Sequence, residues 1–334
     1  MTSRLERGSL ATVFGGSGFL GRHTIRALAQ DGWRVRAATR RPDLAGYLQP
    51  MGAVGQIHPV QANLRYPDSV RRAVEGADTV VNLVGILAEC RFCLSRAARQ
   101  TFHAVHVAGA RAAARAAREA GAKTFVHVSA IGADRGYWAK YARTKAAGEA
   151  AVLAEFPSAV ILRPSLVFGP EDQLFNRFAG MARSAPLMPL IGRGRTRMQP
   201  VYVGDVAAAV AAAAAGRAKA GTVYELGGPE VVTFRRLLDL VQTWSGRRRR
   251  YLPVPFWLAQ VGAFLTAWWP QNLRPITVDQ VRMLMRPVVV SAAAEEEGRT
   301  LQGLGIEHPH AMAAIVPGYL ERFQPHGQFA HYRN

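Results

Sequence analysis

The run Val13-Phe14-Gly15-Gly16-Ser17-Gly18-Phe19-Leu20-Gly21-Arg22 constrains this chain more than any other stretch. It joins an apolar, strand-like start to a helix-like continuation through closely spaced glycines. That order predicts a phosphate-binding turn. Gly15 takes backbone angles closed to other residues, Gly18 presents no side chain to a pyrophosphate, and Gly21 lets the helix pack closely on its strand. The first N–H groups and the positive dipole end of the helix then face an anion. A plain strand-to-helix turn also uses glycine, but the position between a strand and a helix is what the binding mechanism demands.

Apolar β-type runs alternate with longer helical patterns through the first half, which predicts an α/β fold: a Rossmann-like, doubly wound parallel sheet with crossover helices. Strand one is expected at Leu10 to Phe14 and helix one at Gly18 to Gln30. Further strands are expected at Trp33 to Thr39, Asp78 to Val84, Thr124 to Ser129 and Ala159 to Leu162. Continuous apolar runs of this kind suit strands covered on both faces. Helices are expected at Arg99 to Ala120, Lys145 to Glu155 and Ala207 to Ala215. Beyond Pro164 the elements shorten and Pro and Gly punctuate them. The expected division is residues 1–165 as a nucleotide-binding domain and 166–334 as a smaller C-terminal portion for substrate or partner, the chain returning to the first core near 200–216.

The 334 residues, 49% of them apolar, suit a soluble globular protein with a sizeable core. Met1 to Leu10 lacks an apolar h-region, so a chain that stays where it is made is expected. Cys90 and Cys93 are the only cysteines, and their spacing suggests a redox or metal pair. No histidine near in sequence completes a zinc site, so two free thiols in a reducing compartment and no metal are expected.

The formal net charge is +19, from 42 Lys plus Arg against 23 Asp plus Glu. Such a surface attracts polyanions. No helix-turn-helix, zinc finger or aromatic RNA-binding signature accompanies it, which argues against nucleic acid. The densest cluster, Arg247 to Arg250, leads into an apolar, tryptophan-rich run ending at Pro270. Between Pro255 and Pro270 that run is too short to span a bilayer, which takes roughly 20 residues, so it is expected to lie on a membrane or in a protein groove. An ordinary buried helix after a solvated charge run is the alternative.

At the end of strand two an acid would bond the ribose 2′-hydroxyl of NAD, whereas arginines accommodate the 2′-phosphate of NADP. The sequence there is Ala38-Thr39-Arg40-Arg41, with Asp43 only after a proline, and Arg22 adds a third cation. NADP(H) is therefore expected, although an arginine-rich chain also places solvated arginines in loops. Tyr141 and Lys145 form a second constellation, four apart and on one helical face. A nearby ammonium favours phenolate, so Tyr141 suits a general acid or base, Lys145 its tuner and ribose ligand, and Ser129 an orienter of the substrate oxygen. A helix-surface pair arising by chance is the alternative.

With these residues in that order, the chain resembles the short-chain dehydrogenase/reductase superfamily in its extended or atypical form. Arg163-Pro-Ser-Leu-Val-Phe-Gly-Pro170 and Val201-Tyr-Val-Gly-Asp-Val206 fit the same order. The resemblance implies that Pro164 to Val167 border the nicotinamide and that an acid-apolar pair after strand three contacts adenine, here replaced by Asn63-Leu64. The implied cofactor contacts are Gly15, Ser17, Gly18, Phe19, Leu20, Gly21, Arg22, Arg40, Arg41, Asn63, Leu64, Val84, Ser129, Tyr141, Lys145, Pro164 and Val167.

A narrower resemblance spans nearly the whole chain. Phe14 to Arg22, Phe125 to Ser129, Tyr141 to Glu149, Arg163 to Asp172 with Phe175 to Phe178, Thr277 to Val281 and Tyr319 to Pro325 together resemble the nucleotide-binding accessory subunit of respiratory complex I, the alpha-subcomplex subunit nine family. That resemblance implies a tightly held NADPH and a structural or assembly role beside the quinone-reducing part of the membrane enzyme, with little or no independent turnover. Only twelve positions separate Ser129 from Tyr141, a short connection that argues against a sugar-nucleotide pocket and leaves the catalytic groups chiefly as ribose ligands. The expected setting is a bacterial cytoplasm, peripheral on the inner membrane face through Arg247 to Pro270, with a mitochondrial matrix as the alternative. An active NADP-dependent reductase or epimerase is the competing reading, and a soluble nucleotide sensor a third.

Overall fold

The computed structural model describes residues 8–89, 100–269, 276–325 and 327. Cys90, Cys93, Arg99 and Pro270 lie outside the described residues. The chain divides into two compact units: one takes the chain up to Pro164, Gly204–Leu226 and Ser291–Glu307, and the other Ser165–Val203, Gly227–Val290 and the chain from His308.

The first unit is built on a seven-stranded sheet. Its strands are β1 (Leu10–Phe14), β2 (Arg34–Thr39), β3 (Ile57–Gln61), β4 (Thr79–Asn82), β5 (Thr124–Val128), β6 (Val160–Pro164) and β7 (Val223–Leu226). They pair in the order β7-β6-β5-β4-β1-β2-β3, and every pairing is parallel. β1, β4, β5 and β6 carry almost unbroken runs of buried residues, as strands with both faces covered must. The order reverses between β1 and β4, and ligands of open parallel sheets bind at such a switch point, beyond the carboxyl ends of the strands.

Helices α1 (Phe19–Gln30), α2 (Pro67–Val74), α3 (Ala110–Glu119), α4 (Lys140–Glu155) and α5 (Val203–Ala214) belong to this framework, α5 from Gly204 onward. The stretch expected as one regular helix from Arg99 contains a π-helical turn at His103–Gly109 before α3. α4 begins at Lys140, five residues before its expected start, so Tyr141 lies in its first turn. There Thr144 Oγ1 donates to the carbonyls of Lys140 (2.9 Å) or Tyr141 (3.0 Å). Gly148 carries the contact between α4 and the π turn: a Cβ at that position would lie 2.1 Å from the His106 carbonyl oxygen. On the sheet side Glu149 of α4 takes both guanidinium arms of Arg163 on β6 (2.9 and 2.6 Å). That hydrogen bonding holds the arginine above its ordinary pKa against the opposing effect of burial.

The second unit has its own core, with Phe168, Phe175, Met188, Phe234 and Leu238 buried together. Asp172 organises one side of it. Its carboxylate accepts from the backbone N–H of Phe175 (2.6 Å) and from the Tyr319 hydroxyl (2.5 Å); burial raises its pKa while these bonds oppose the rise. Leu187–Ile191 pairs in parallel with Arg250–Val254, and the latter leads into α6 (Phe256–Leu265). α6 turns Ala259 and Ala263 inward onto Val281, whose helix starts with a capping box between Thr277 and Gln280. The buried-helix expectation fails on the other face of α6: Trp257 (67% exposed), Phe264 (66%) and Leu265 (66%) point to solvent. Among the described residues no helix is long and apolar enough to cross a membrane.

Candidate functional site

The glycine turn follows β1 at the switch point and folds as a tight cradle. Gly15 has φ +81, its N–H donates to the Ala38 carbonyl (3.1 Å), and Gly18 N–H donates back to Gly15 O (3.0 Å). A Cβ on Gly21 would lie 2.2 Å from Gly15 O and 2.6 Å from Gly16 O, so only glycine lets α1 start against the turn. A Cβ on Gly16 would meet Ile25 Cδ1 at 2.7 Å. Gly18, which precedes α1, is exposed and supplies no side-chain cap. The positive end of a 12-residue helix therefore opens at a glycine with no side-chain cap.

Tyr47 is part of this cradle, and no sequence signal marked it. Its hydroxyl donates to the Ser17 carbonyl (2.7 Å), and Arg22 stacks over its ring at 5.2 Å. At the end of β2, Arg40 and Arg41 are exposed. Arg41 pairs with Asp43 at 2.9 Å, whereas Arg40 has no ion pair among the described residues. Phe19 meets His23 edge-on, and Leu20 is half-buried in the first turn of α1.

From the turn the site continues along the segment after β4. A Cβ on Gly15 would meet Val84 Cγ2 at 3.2 Å, and one on Gly85 would lie 3.3 Å from Lys145 Nζ. Lys145 is 5% exposed, its Nζ donates to the Val128 carbonyl (3.1 Å), and it lies 6.0 Å from the Tyr141 ring centroid. Burial lowers its pKa to about 8, with Glu149 opposing.

His106, carried on the π turn, is a site residue the sequence analysis did not name. Its Nε2 accepts from Ile86 N–H (3.1 Å), its Nδ1 lies 3.1 Å from Thr144 Oγ1, and its ring packs edge-on against Tyr141 at 5.4 Å. Burial, and after it Lys145, lowers its pKa to about 3, which keeps the ring neutral. One histidine inside Ala104-Val-His-Val-Ala108 was the available signal, a lone polar residue in an apolar helical run. On β5, His127 is buried beside its β4 register partner Asn82.

Ser129 follows β5, and its N–H donates to Leu162 O (2.7 Å). Its hydroxyl oxygen is buried with no hydrogen-bond partner among the described residues. Asn63 and Leu64 follow β3; the Asn63 carboxamide oxygen accepts from Arg65 N–H (3.1 Å), and Leu64 is buried against Gly109. Pro164 ends β6, its carbonyl accepting from Ile131 N–H (3.0 Å). Val167 lies in the second unit, where Val167–Phe168 pairs with Val201–Tyr202. The geometry thus brings together Gly15, Gly18, Gly21 and Val84, and connects them through Gly85 to Lys145, Tyr141 and the strand preceding Ser129.

A pyrophosphate-bearing dinucleotide fits these residues on two structural grounds. The glycine cradle is one that a Cβ would fill, and the Ser129 hydroxyl is an orphaned buried polar group beyond the end of β5. A parallel sheet with a glycine-turn helix at its switch point defines a Rossmann-like, NAD(P)-binding class of protein. Within that class the chain belongs to the NAD dependent epimerase/dehydratase family, whose model matches residues 11–227.

Several relatives are more specific. A subunit from Arabidopsis thaliana named NADH dehydrogenase [ubiquinone] 1 alpha subcomplex subunit 9, mitochondrial, is 36% identical over 258 residues. The match takes in 77% of this chain but 63% of that protein, so the chain spans less than two thirds of that relative's length. The mitochondrial NADH-ubiquinone oxidoreductase 40 kDa subunit of Neurospora crassa is 29% identical over 96% of this chain and 81% of its own. Among solved structures, an NADPH-dependent quinone oxidoreductase from Escherichia coli complexed with NADPH shares the fold, with TM-score 0.69, 19% identity, and coverage of 93% of this chain and 99% of that one.

Proposed function

We propose that this chain is an NADPH-holding accessory or assembly subunit of respiratory complex I, carried peripherally on the cytoplasmic face of a bacterial inner membrane. The observation that carries this reading is the similarity to the Neurospora complex I subunit over 96% of the chain. The proposed division of labour is residues 1–165 for the nucleotide and 166–334 for docking. NADPH is preferred over NADH because β2 ends without a carboxylate while Arg40 is exposed and free of an ion pair among the described residues. The exposed apolar face of α6 supports the peripheral membrane contact, and the relatives named as mitochondrial leave a matrix location as the alternative.

In this reading the turn at Gly15 to Gly21 with Ser17, Phe19 and Leu20 holds the pyrophosphate, Arg22, Arg40 and Arg41 the 2′-phosphate, and Asn63, Leu64 and Val84 the adenosine half. Lys145 and Tyr141 hold the nicotinamide ribose, with Ser129 and Pro164 beside the ring. Bound NADPH supplies a hydride donor. A competing reading, an active reductase or epimerase, is favoured by the orphaned Ser129 hydroxyl and the buried Lys145. There Lys145 with its pKa near 8 draws the phenol toward phenolate, Tyr141 passes a proton to a substrate oxygen, and Ser129 orients that oxygen.

Purification from native membranes tests the two together. The accessory reading expects complex I subunits to co-purify, NADPH to stay with the chain through gel filtration, and Tyr141→Phe to leave assembly intact. Absence of those subunits, or substrate-dependent NADPH oxidation abolished by Tyr141→Phe, overturns it.

A further inference from the structure

The second unit contains a cavity of about 840 Å³ whose lining combines three arginines with apolar side chains. Arg193, Arg195 and Arg197 line it together with Val254, Phe256 and Met285, and no carboxylate is among its lining residues. All three arginines are exposed, and their side chains make no ion pair or hydrogen bond among the described residues. Uncompensated cations gathered at a concave surface call for an anionic ligand.

The backbone beneath them is strained. Gly192 and Gly194 have positive φ, and between them Arg193 (φ 56) is the single non-glycine residue with positive φ among the described residues. A left-handed arginine costs on the order of 1 kcal/mol and persists where the surroundings hold it. Here they do: a Cβ on Gly192 would lie 2.2 Å from the Phe256 ring, and one on Gly194 would lie 2.7 Å from the side chains of Arg235 and Leu190. The packing around this turn holds Arg193 in the cavity lining.

Phe256, which lines the cavity, is also the first residue of α6. The apolar part of the lining is therefore continuous in the chain with the helix that exposes Trp257, Leu258, Val261, Phe264 and Leu265. A small soluble anion would use the arginines and leave that surface bare. An anion attached to hydrocarbon uses both.

We infer that this cavity binds the phosphate of an anionic membrane phospholipid, the three arginines taking the headgroup while α6 lies in the hydrocarbon boundary. The inference rests on the peripheral membrane contact proposed above and gives that contact a headgroup specificity. A volume of this size lies in the range of small-molecule sites, so it accommodates a headgroup and the upper part of its acyl chains.

The test is co-sedimentation of the full chain with vesicles of phosphatidylcholine alone or mixed with phosphatidylglycerol. Two variants of equal charge loss are compared with wild type: R193Q/R195Q/R197Q at the cavity, and R26Q/R72Q/R135Q, three exposed arginines of the first unit. Each cation near an anionic surface is worth about fivefold in partitioning. The cavity variant is expected to lose ten- to hundredfold of its partitioning onto the mixed vesicles, and the control about threefold or less. Equal losses in both variants, or no loss in the cavity variant, overturn the headgroup site while leaving the membrane contact standing. Wild-type chain that sediments with neither vesicle overturns both. Calorimetric titration with short-chain phosphatidylglycerol and with inorganic phosphate separates the sources: binding of the lipid alone supports the inference, and equal binding of inorganic phosphate overturns it in favour of a free anion.

Discussion

Lys145 shows how one residue trades stability for a task. A cation buried to this degree is disfavoured, and the lowering of its pKa from 10.5 to about 8 corresponds to about 3 kcal/mol against the protonated folded state. The bond from Nζ to Val128 O returns about 1 kcal/mol. Lys145→Met removes both, and Glu149 remains paired with Arg163. The variant is expected to be more stable than wild type by about 2 kcal/mol at pH 7 in urea unfolding. The sign with pH follows from the depressed folded pKa: between about 8 and 10.5 the unfolded chain binds the proton that the folded chain has released. Wild-type stability therefore rises with pH across that window and the variant's advantage shrinks. An advantage that grows above pH 8 would refute the burial account. Retention of NADPH by the variant through gel filtration should fall, because the lost ammonium is the proposed ribose ligand.

Among the elements, α4 and the π turn at His103–Gly109 set the geometry of the site, and Gly148 sets their distance. An alanine in a helix is ordinarily worth about 1 kcal/mol more than glycine. At Gly148 the added methyl would lie 2.1 Å from a backbone oxygen, which no rotamer change relieves. Overpacking of this kind costs typically 1–3 kcal/mol, and the clash is with main chain, so Gly148→Ala is expected to destabilise the chain by roughly 1–2 kcal/mol net. It should also move His106 off Ile86 and Thr144. A stabilising alanine, measured by denaturant unfolding, would show that the two elements separate at little cost. Elements of this kind also mark the limit of what the sequence discloses. β1, α1 and the cradle were legible because strand burial, helix period and glycine geometry are local, and the observed β1 has the expected bounds. The start of α4 and the π turn were not, since both depend on α4 packing against the preceding helix across many residues of chain. Tyr47 was illegible for the same reason: its partner Ser17 is 30 positions away.

At the scale of the whole molecule the proposed membrane contact would combine two forces of different range. The net charge of +19 acts at a distance, but salt screens it over about 8 Å at physiological ionic strength and about 3 Å at 1 M. The exposed face of α6 acts only on contact, and salt does not weaken it. Burying side chains such as Trp257, Phe264 and Leu265 contributes about 1.5–3 kcal/mol each, comparable with several screened cations together. Long-range charge should therefore govern how fast the chain reaches the surface, and α6 with the headgroup contact whether it stays. Native membranes washed in 1 M salt are expected to keep most of the wild-type chain. W257S/F264S/L265S should still associate at low salt and be released below about 0.3 M, where screening already weakens its remaining attraction. Immunoblots of the washed membranes read both. Release of the wild-type chain by salt alone would assign the contact to charge and leave the apolar face of α6 to a protein partner.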